Sequence, residues 1–149
     1  MNRIFEKSSG GIVYRKQQGK IEILLLEWEN AKKEREFVLP KGHMEDAETA
    51  KDTALREINE ETGLAISDLE IIKFMSKINY SFIATYKEGC PVIEKDVYLF
   101  LVKYNGNEEP VIEKNKRFYG FRWFSIEELK TASIKPDIYG FVKKNLQYM

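Results

Sequence analysis

The chain predicts an α/β domain, a mixed β-sheet flanked by helices, and three observations carry that expectation. β-branched and aromatic segments recur on both sides of one helical stretch that stops at Gly63. A second helical stretch follows Pro136, and the segments are joined by short polar turns with no Pro/Gly/Ser-rich linker between them, so residues 1–149 read as a single domain.

Lys7 to Arg15 and Ile21 to Trp28 read as strands joined by the polar turn Lys16 to Lys20, and Ser9-Gly10-Gly11 suggests a bulge or a close backbone approach. The apolar run Ile23-Leu24-Leu25-Leu26 calls for burial on both faces of the sheet. Leu39-Pro40-Lys41-Gly42-His43 reads as a strand end entering a tight loop, because Pro40 lacks an amide donor and Gly42 tolerates conformations other residues resist. Ala47, Ala50, Ala54, Leu55 and Ile58 form an apolar stripe, with Asp46 or Glu48 opening the first turn of a helix and Gly63 closing it. Leu69 to Lys77, Tyr80 to Tyr86 and Lys95 to Tyr104 are further strand segments, with Lys87-Glu88-Gly89 as one turn. Phe121 to Phe124 makes a short last strand, Ser125-Ile126-Glu127-Glu128 a capping box for a short helix, and Pro136 to Leu146 a terminal helix with proline in its first turn.

The chemistry concentrates between Gly42 and Leu64. Glu57 and Glu61 lie one turn apart on one side of the helix and Glu60 flanks Glu57, so three acids share a face. Like charges at that spacing repel, and burial raises the cost unless a cation neutralises them. Oxygen donors without sulfur suit a hard ion, Mg²⁺ or Mn²⁺, which retains room for phosphate oxygens. Lys41 and His43 adjoin the acids and could touch those oxygens, and the Lys41 backbone carbonyl could add a metal ligand. Glu-rich helices are ordinarily solvated faces held by pairs such as Arg56 with Glu60, and a single loop histidine is ordinarily a surface residue.

The complete pattern overrides those plainer readings. Gly42, Glu48, Arg56, Glu57, Ile58, Glu60, Glu61, Gly63 and Leu64 match every fixed position of G-x5-E-x7-R-E-U-x-E-E-x-G-U, with U aliphatic, and the chain thereby resembles the Nudix (MutT-like) hydrolases. The resemblance implies an α/β/α sandwich and a metal-dependent hydrolase of phosphoanhydride bonds, working by attack of water on phosphorus. Leu39 to His43 is most similar to the branch acting on diadenosine polyphosphates, which makes diadenosine tetraphosphate-type nucleotides the expected substrates. The alternatives are oxidised or ordinary nucleoside triphosphates, nucleotide sugars, RNA 5′ ends, or a sensing module without turnover.

By the same resemblance Glu57, Glu60, Glu61 and the Lys41 carbonyl would hold the metal, and Arg56 would orient a catalytic glutamate with Glu48 as its partner. His43 would stabilise transition-state charge, and Lys41 and His43 would bind phosphate. Glu57 and Glu113 compete as general base, Glu113 being preferred over the other loop acids Glu108 and Glu109. Tyr80 and Tyr119 head the aromatics that could stack a nucleobase, with Phe82, Tyr86 and Phe118 behind them.

Composition limits the partners. The 149 residues, 43% hydrophobic, suffice for one core, and 24 basic against 24 acidic side chains leave no net field to attract nucleic acid or membrane. A small nucleotide is the expected partner, with monomer or homodimer left open. Cys90 has no second cysteine to pair with, the N-terminus shows no apolar signal core, and a cytoplasmic location is expected.

Overall fold

The computed structural model describes residues 2–112, 117–130, 134 and 136–149. They form a seven-stranded mixed sheet with a helix on each face, the α/β/α arrangement the sequence predicts. The strands are β1 (Arg3–Gln17), β2 (Lys20–Glu29), β3 (Arg35–Val38), β4 (Lys41–His43), β5 (Leu69–Ile83), β6 (Val92–Tyr104) and β7 (Phe118–Ser125). The helices are α1 (Ala50–Thr62) and α2 (Pro136–Asn145). No helix among the described residues is long and apolar enough to cross a membrane.

The order β3-β2-β1-β6-β5 is antiparallel except for β1 and β6, which run parallel from Arg3↔Val92 to Tyr14↔Lys103. β2 stays against β1 only from Lys20 to Leu24, then pairs with β3 from Leu26 onward, while β4 takes over the vacated edge of β1 at Ser8 to Gly10. That splay delivers β4 to the middle of the sheet, beneath α1.

Alternation along β1 and β2 feeds two cores. Val13 and Leu24 pack with Ala54, Ile58 and Leu64 on the α1 side, and Ile12, Tyr14, Ile23 and Leu25 pack with Ile138 and Val142 on the α2 side. The Ile23–Leu26 run is fully buried on both faces, as its composition demands.

Of the bulge or close approach suggested at Ser9-Gly10-Gly11, the structure shows the close approach: the β1 ladder to β6 is unbroken there and Gly11 N donates to Pro40 O at 3.2 Å. Three local expectations are corrected. The loop expected at Lys41 to His43 is strand β4. The segments expected at Leu69 to Lys77 and Tyr80 to Tyr86 fuse into β5, which stops at Ile83 with Tyr86 in the turn beyond, because no glycine or proline separates them and the ladder to β6 runs on through Asn79↔Asp96 after register shifts near Lys73 and Met75. α1 starts at Ala50, not at Asp46 or Glu48: Ala47 sits at φ 67°, outside the helix and exposed, and Thr49 caps by accepting from Asp52 N at 3.1 Å. Gly63, at φ 76°, ends α1 as expected. The Ser125–Glu128 capping box forms reciprocally but opens only a single 3-10 turn, Glu128–Lys130.

Candidate active site

The site is built where the last two turns of α1 lie across β4. A Cβ on Gly42 would overlap the Glu57 carboxylate, so the glycine is the cradle in which that carboxylate rests. Glu61 Oε1 accepts from Lys41 N at 3.0 Å, fastening the helix to the strand one turn further on. Glu57 and Glu61 are therefore held against β4, while Glu60 stays exposed.

Two guanidinium groups meet the acidic charge. Arg56 donates to Glu48 from Nε and Nη2 (2.7 and 3.0 Å), to Glu57 at 2.9 Å, to Glu60 at 3.2 Å and to the His43 carbonyl at 2.9 Å. It orients Glu57 and ties the His43 backbone to α1. Glu48 is consumed by this framework, accepting also from Glu45 N and Thr53 Oγ1, and the Arg56 bonds together with these hold its carboxyl down at about 2. On the other side Arg117 donates to Glu61 Oε2 at 2.8 Å and to the Lys41 carbonyl at 3.4 Å.

Glu61 is 8% exposed, and burial pushes its pKa up to about 7 against the opposing pull of Arg117. Its folded pKa lies above its unfolded value, so the folded state binds the extra proton and stability falls as pH rises through that interval. With a chelator present, the melting temperature of the wild type should decline between about pH 4.5 and pH 7 by the equivalent of a few kcal/mol. Glu61→Gln should remove most of that slope. Parallel pH profiles for the two proteins would refute the assignment.

Among the described residues no three His, Cys, Asp or Glu side chains already converge as a metal cage; Glu57 and Glu60 turn to Arg56 and Glu61 turns to Arg117. The donor chemistry nevertheless fits a hard divalent ion. The donors are all oxygen, and Glu61 Oε2 and the Lys41 carbonyl already converge on one positive group, the Arg117 guanidinium.

Beside this cluster, on the α2 face of the sheet, opens a cavity of about 490 Å³ whose walls include Trp28, Tyr80, Phe118, Lys41, Lys95 and Arg117, with Asp137 at its rim. Of the residues expected to bind substrate, Lys41 and Tyr80 reach it. Tyr119 does not line it: its ring lies under the Arg35 guanidinium at 3.6 Å and its hydroxyl contacts Glu29. Phe82 stacks on Tyr80 and Tyr86 is exposed in a turn. His43 is exposed on β4. Glu109 is engaged by Arg15 (2.8 Å) and Trp123 Nε1 (2.9 Å), and Glu113 lies outside the described residues.

Trp28, Lys95 and Asp137 escaped the sequence reading. Lys95 left a signal there, since it occupies the same strand face as Val97, Leu99 and Leu101, all of them core. Burial pulls its ammonium below the ordinary lysine value, with Glu6 opposing and Arg117 reinforcing.

Comparison with known proteins agrees with this architecture. A crystal structure of the Caenorhabditis elegans Ap4A hydrolase superimposes with a TM-score of 0.69 at 25% identity, covering 97% of this chain and 98% of that one. The asymmetrical bis(5′-nucleosyl)-tetraphosphatase of Mus musculus is 36% identical over 91 residues, 60% of this chain and 55% of that protein. A Mycobacterium tuberculosis protein named for a mutator role, MutT4, is 31% identical over 99 residues, 66% of this chain and 36% of its own length. The matched stretch is thus only about a third to a half of those two relatives. The family model of the NUDIX domain matches residues 5–144, nearly the whole chain, and the chain belongs to the NUDIX domain family.

Proposed function

We propose that this protein is a divalent-metal-dependent hydrolase of nucleoside polyphosphates, with diadenosine polyphosphates of the tetraphosphate type as preferred substrates. One observation carries the reading: Lys41 and Arg117, which both bond Glu61 of the α1 acids, also line a cavity that combines cationic and aromatic walls. Cations suit a polyphosphate and the aromatic walls a nucleobase, whose stacking contributes about 1–3 kcal/mol. The names of the mouse and nematode relatives, a tetraphosphatase and an Ap4A hydrolase, support a dinucleotide substrate for this chain over a mononucleotide.

Glu57, Glu60, Glu61 and the Lys41 carbonyl would hold Mg²⁺ or Mn²⁺, which when bound lowers the pKa of water and neutralises charge on the phosphate oxygens. Glu57, held against Gly42 and bonded by Arg56, would take the proton of the attacking water, with Glu113 as the competing base. Lys41 and Lys95 steady the phosphate chain from the cavity wall, and His43 meets charge from the β4 side. Tyr80 and Trp28 offer ring faces to the base.

The test is a substrate panel with Mg²⁺ in ¹⁸O-water: dinucleoside polyphosphates, nucleoside triphosphates including oxidised ones, nucleotide sugars and triphosphorylated RNA. Diadenosine tetraphosphate should give the highest kcat/KM, with ¹⁸O in a product phosphate. Turnover confined to another member of the panel rejects the preference, and binding without product rejects the enzyme.

A further inference from the structure

The two groups that Arg117 bonds, Glu61 Oε2 and the Lys41 carbonyl, are two of those assigned to the metal under the proposed function, on which this inference rests. A guanidinium and a divalent ion on the same two oxygens repel each other, and the doubly charged ion is the stronger competitor for them. The partners differ sharply in freedom. The Glu61 side chain is 7% exposed and tied to β4 by Lys41 N, whereas Arg117 is 59% exposed and stands at the edge of β7. When the two cations compete, Glu61 stays and Arg117 moves.

Its destination is also marked out. Arg117 already lines the cavity with Lys41 and Lys95, and its guanidinium lies 5.1 Å from the Phe118 ring centre, close enough for that ring face to support it. We infer that Arg117 is an exchangeable internal cation: it neutralises Glu61 in the metal-free protein, yields the Glu61 and Lys41 oxygens to the ion, and once released faces the polyphosphate in the cavity. Arg56 is the fixed counterpart. Its Nη1 bonds to Glu57 and Glu60 yield to an ion as well, but Nε and Nη2 keep their bidentate hold on Glu48 and Nη2 its bond to the His43 carbonyl, none of them assigned to the metal, so the side chain stays in place.

The experiment is a Mg²⁺ titration of the full chain followed by NMR of the arginine guanidinium ¹⁵Nε groups and glutamate carboxyl carbons. The Arg117 Nε signal should move toward that of a free arginine in step with the Glu61 carboxyl, while the Arg56 Nε signal, bonded to Glu48, holds still. Separately, Arg117→Gln should bind Mn²⁺ about fivefold more tightly than the wild type by electron paramagnetic resonance, the gain expected from removing a half-exposed ion pair. The same variant should raise KM for the dinucleotide more than it lowers kcat. If Mg²⁺ shifts the Glu57 and Glu61 carboxyls but leaves Arg117 unmoved, the exchange is wrong and the metal site stands. If no carboxyl responds at millimolar Mg²⁺, both the exchange and the metal-dependent reading fall.

Discussion

Glu57→Gln should lower kcat at least about 100-fold while leaving the melting temperature nearly unchanged. Glutamine has the shape of glutamate and still offers an oxygen to Arg56 Nη1, now 2.9 Å from Glu57 Oε1, so the packing against Gly42 survives. What disappears is the negative charge that would ligate an ion or accept a proton from water. Steady-state kinetics beside a thermal melt separate the two properties. Wild-type turnover in a well-folded variant would remove Glu57 from the mechanism.

The two glycines nearest the site should respond oppositely to alanine. At Gly10 the new methyl group would overlap the Pro40 carbonyl oxygen together with Cα and Cβ of Lys41, atoms of the backbone or one bond from it. No rotamer change relieves that overlap, and β1 and β4 are locked by Ser8↔His43, Ser9↔Gly42 and Gly10↔Lys41. Overpacking of this kind costs about 1–3 kcal/mol or more, and Gly10→Ala should lie at or above the upper end. At Gly42 the methyl group meets the Glu57 carboxylate, the far end of a rotatable side chain. Gly42→Ala should therefore fold, displace Glu57 and lose turnover about as severely as Glu57→Gln. Calorimetry and kcat on both variants decide the matter: a Gly10 variant that melts like wild type, or a Gly42 variant with full turnover, contradicts the geometry.

The acidic helix was legible because its signals are local. Periodicity sets the apolar stripe and the i, i+4 acids, and Gly63 terminates the helix through its own backbone freedom. Its start was misplaced by up to four residues since Glu48, which looks like a first-turn acid, is drawn instead into bonds with Arg56, Thr53 and Glu45 N. The fusion of β5 was equally hidden: the Ile78-Asn79 step between Lys77 and Tyr80 looks like a break until β6 supplies a partner along the whole length of the strand. Tyr80 and Tyr119 are alike in sequence, yet only Tyr80 reaches the cavity, and strand alternation at β7 presents Phe118 there in place of its neighbour.

Composition, periodicity and the spacing of Gly42, Glu48, Arg56, Glu57, Glu60 and Glu61 determined the fold class, the single acidic helix and the chemistry it suits. These depend on residues close together along the chain, whose relative positions a helix sets by itself. Only the tertiary structure decided which cation meets which acid, that Arg117 reaches Glu61 across 56 positions, and that Lys95, Trp28 and Asp137 share a cavity. Such contacts arise from the splay of β2 away from β1 and the parallel pairing of β1 with β6, arrangements set by the packing of two opposed cores that no local pattern encodes.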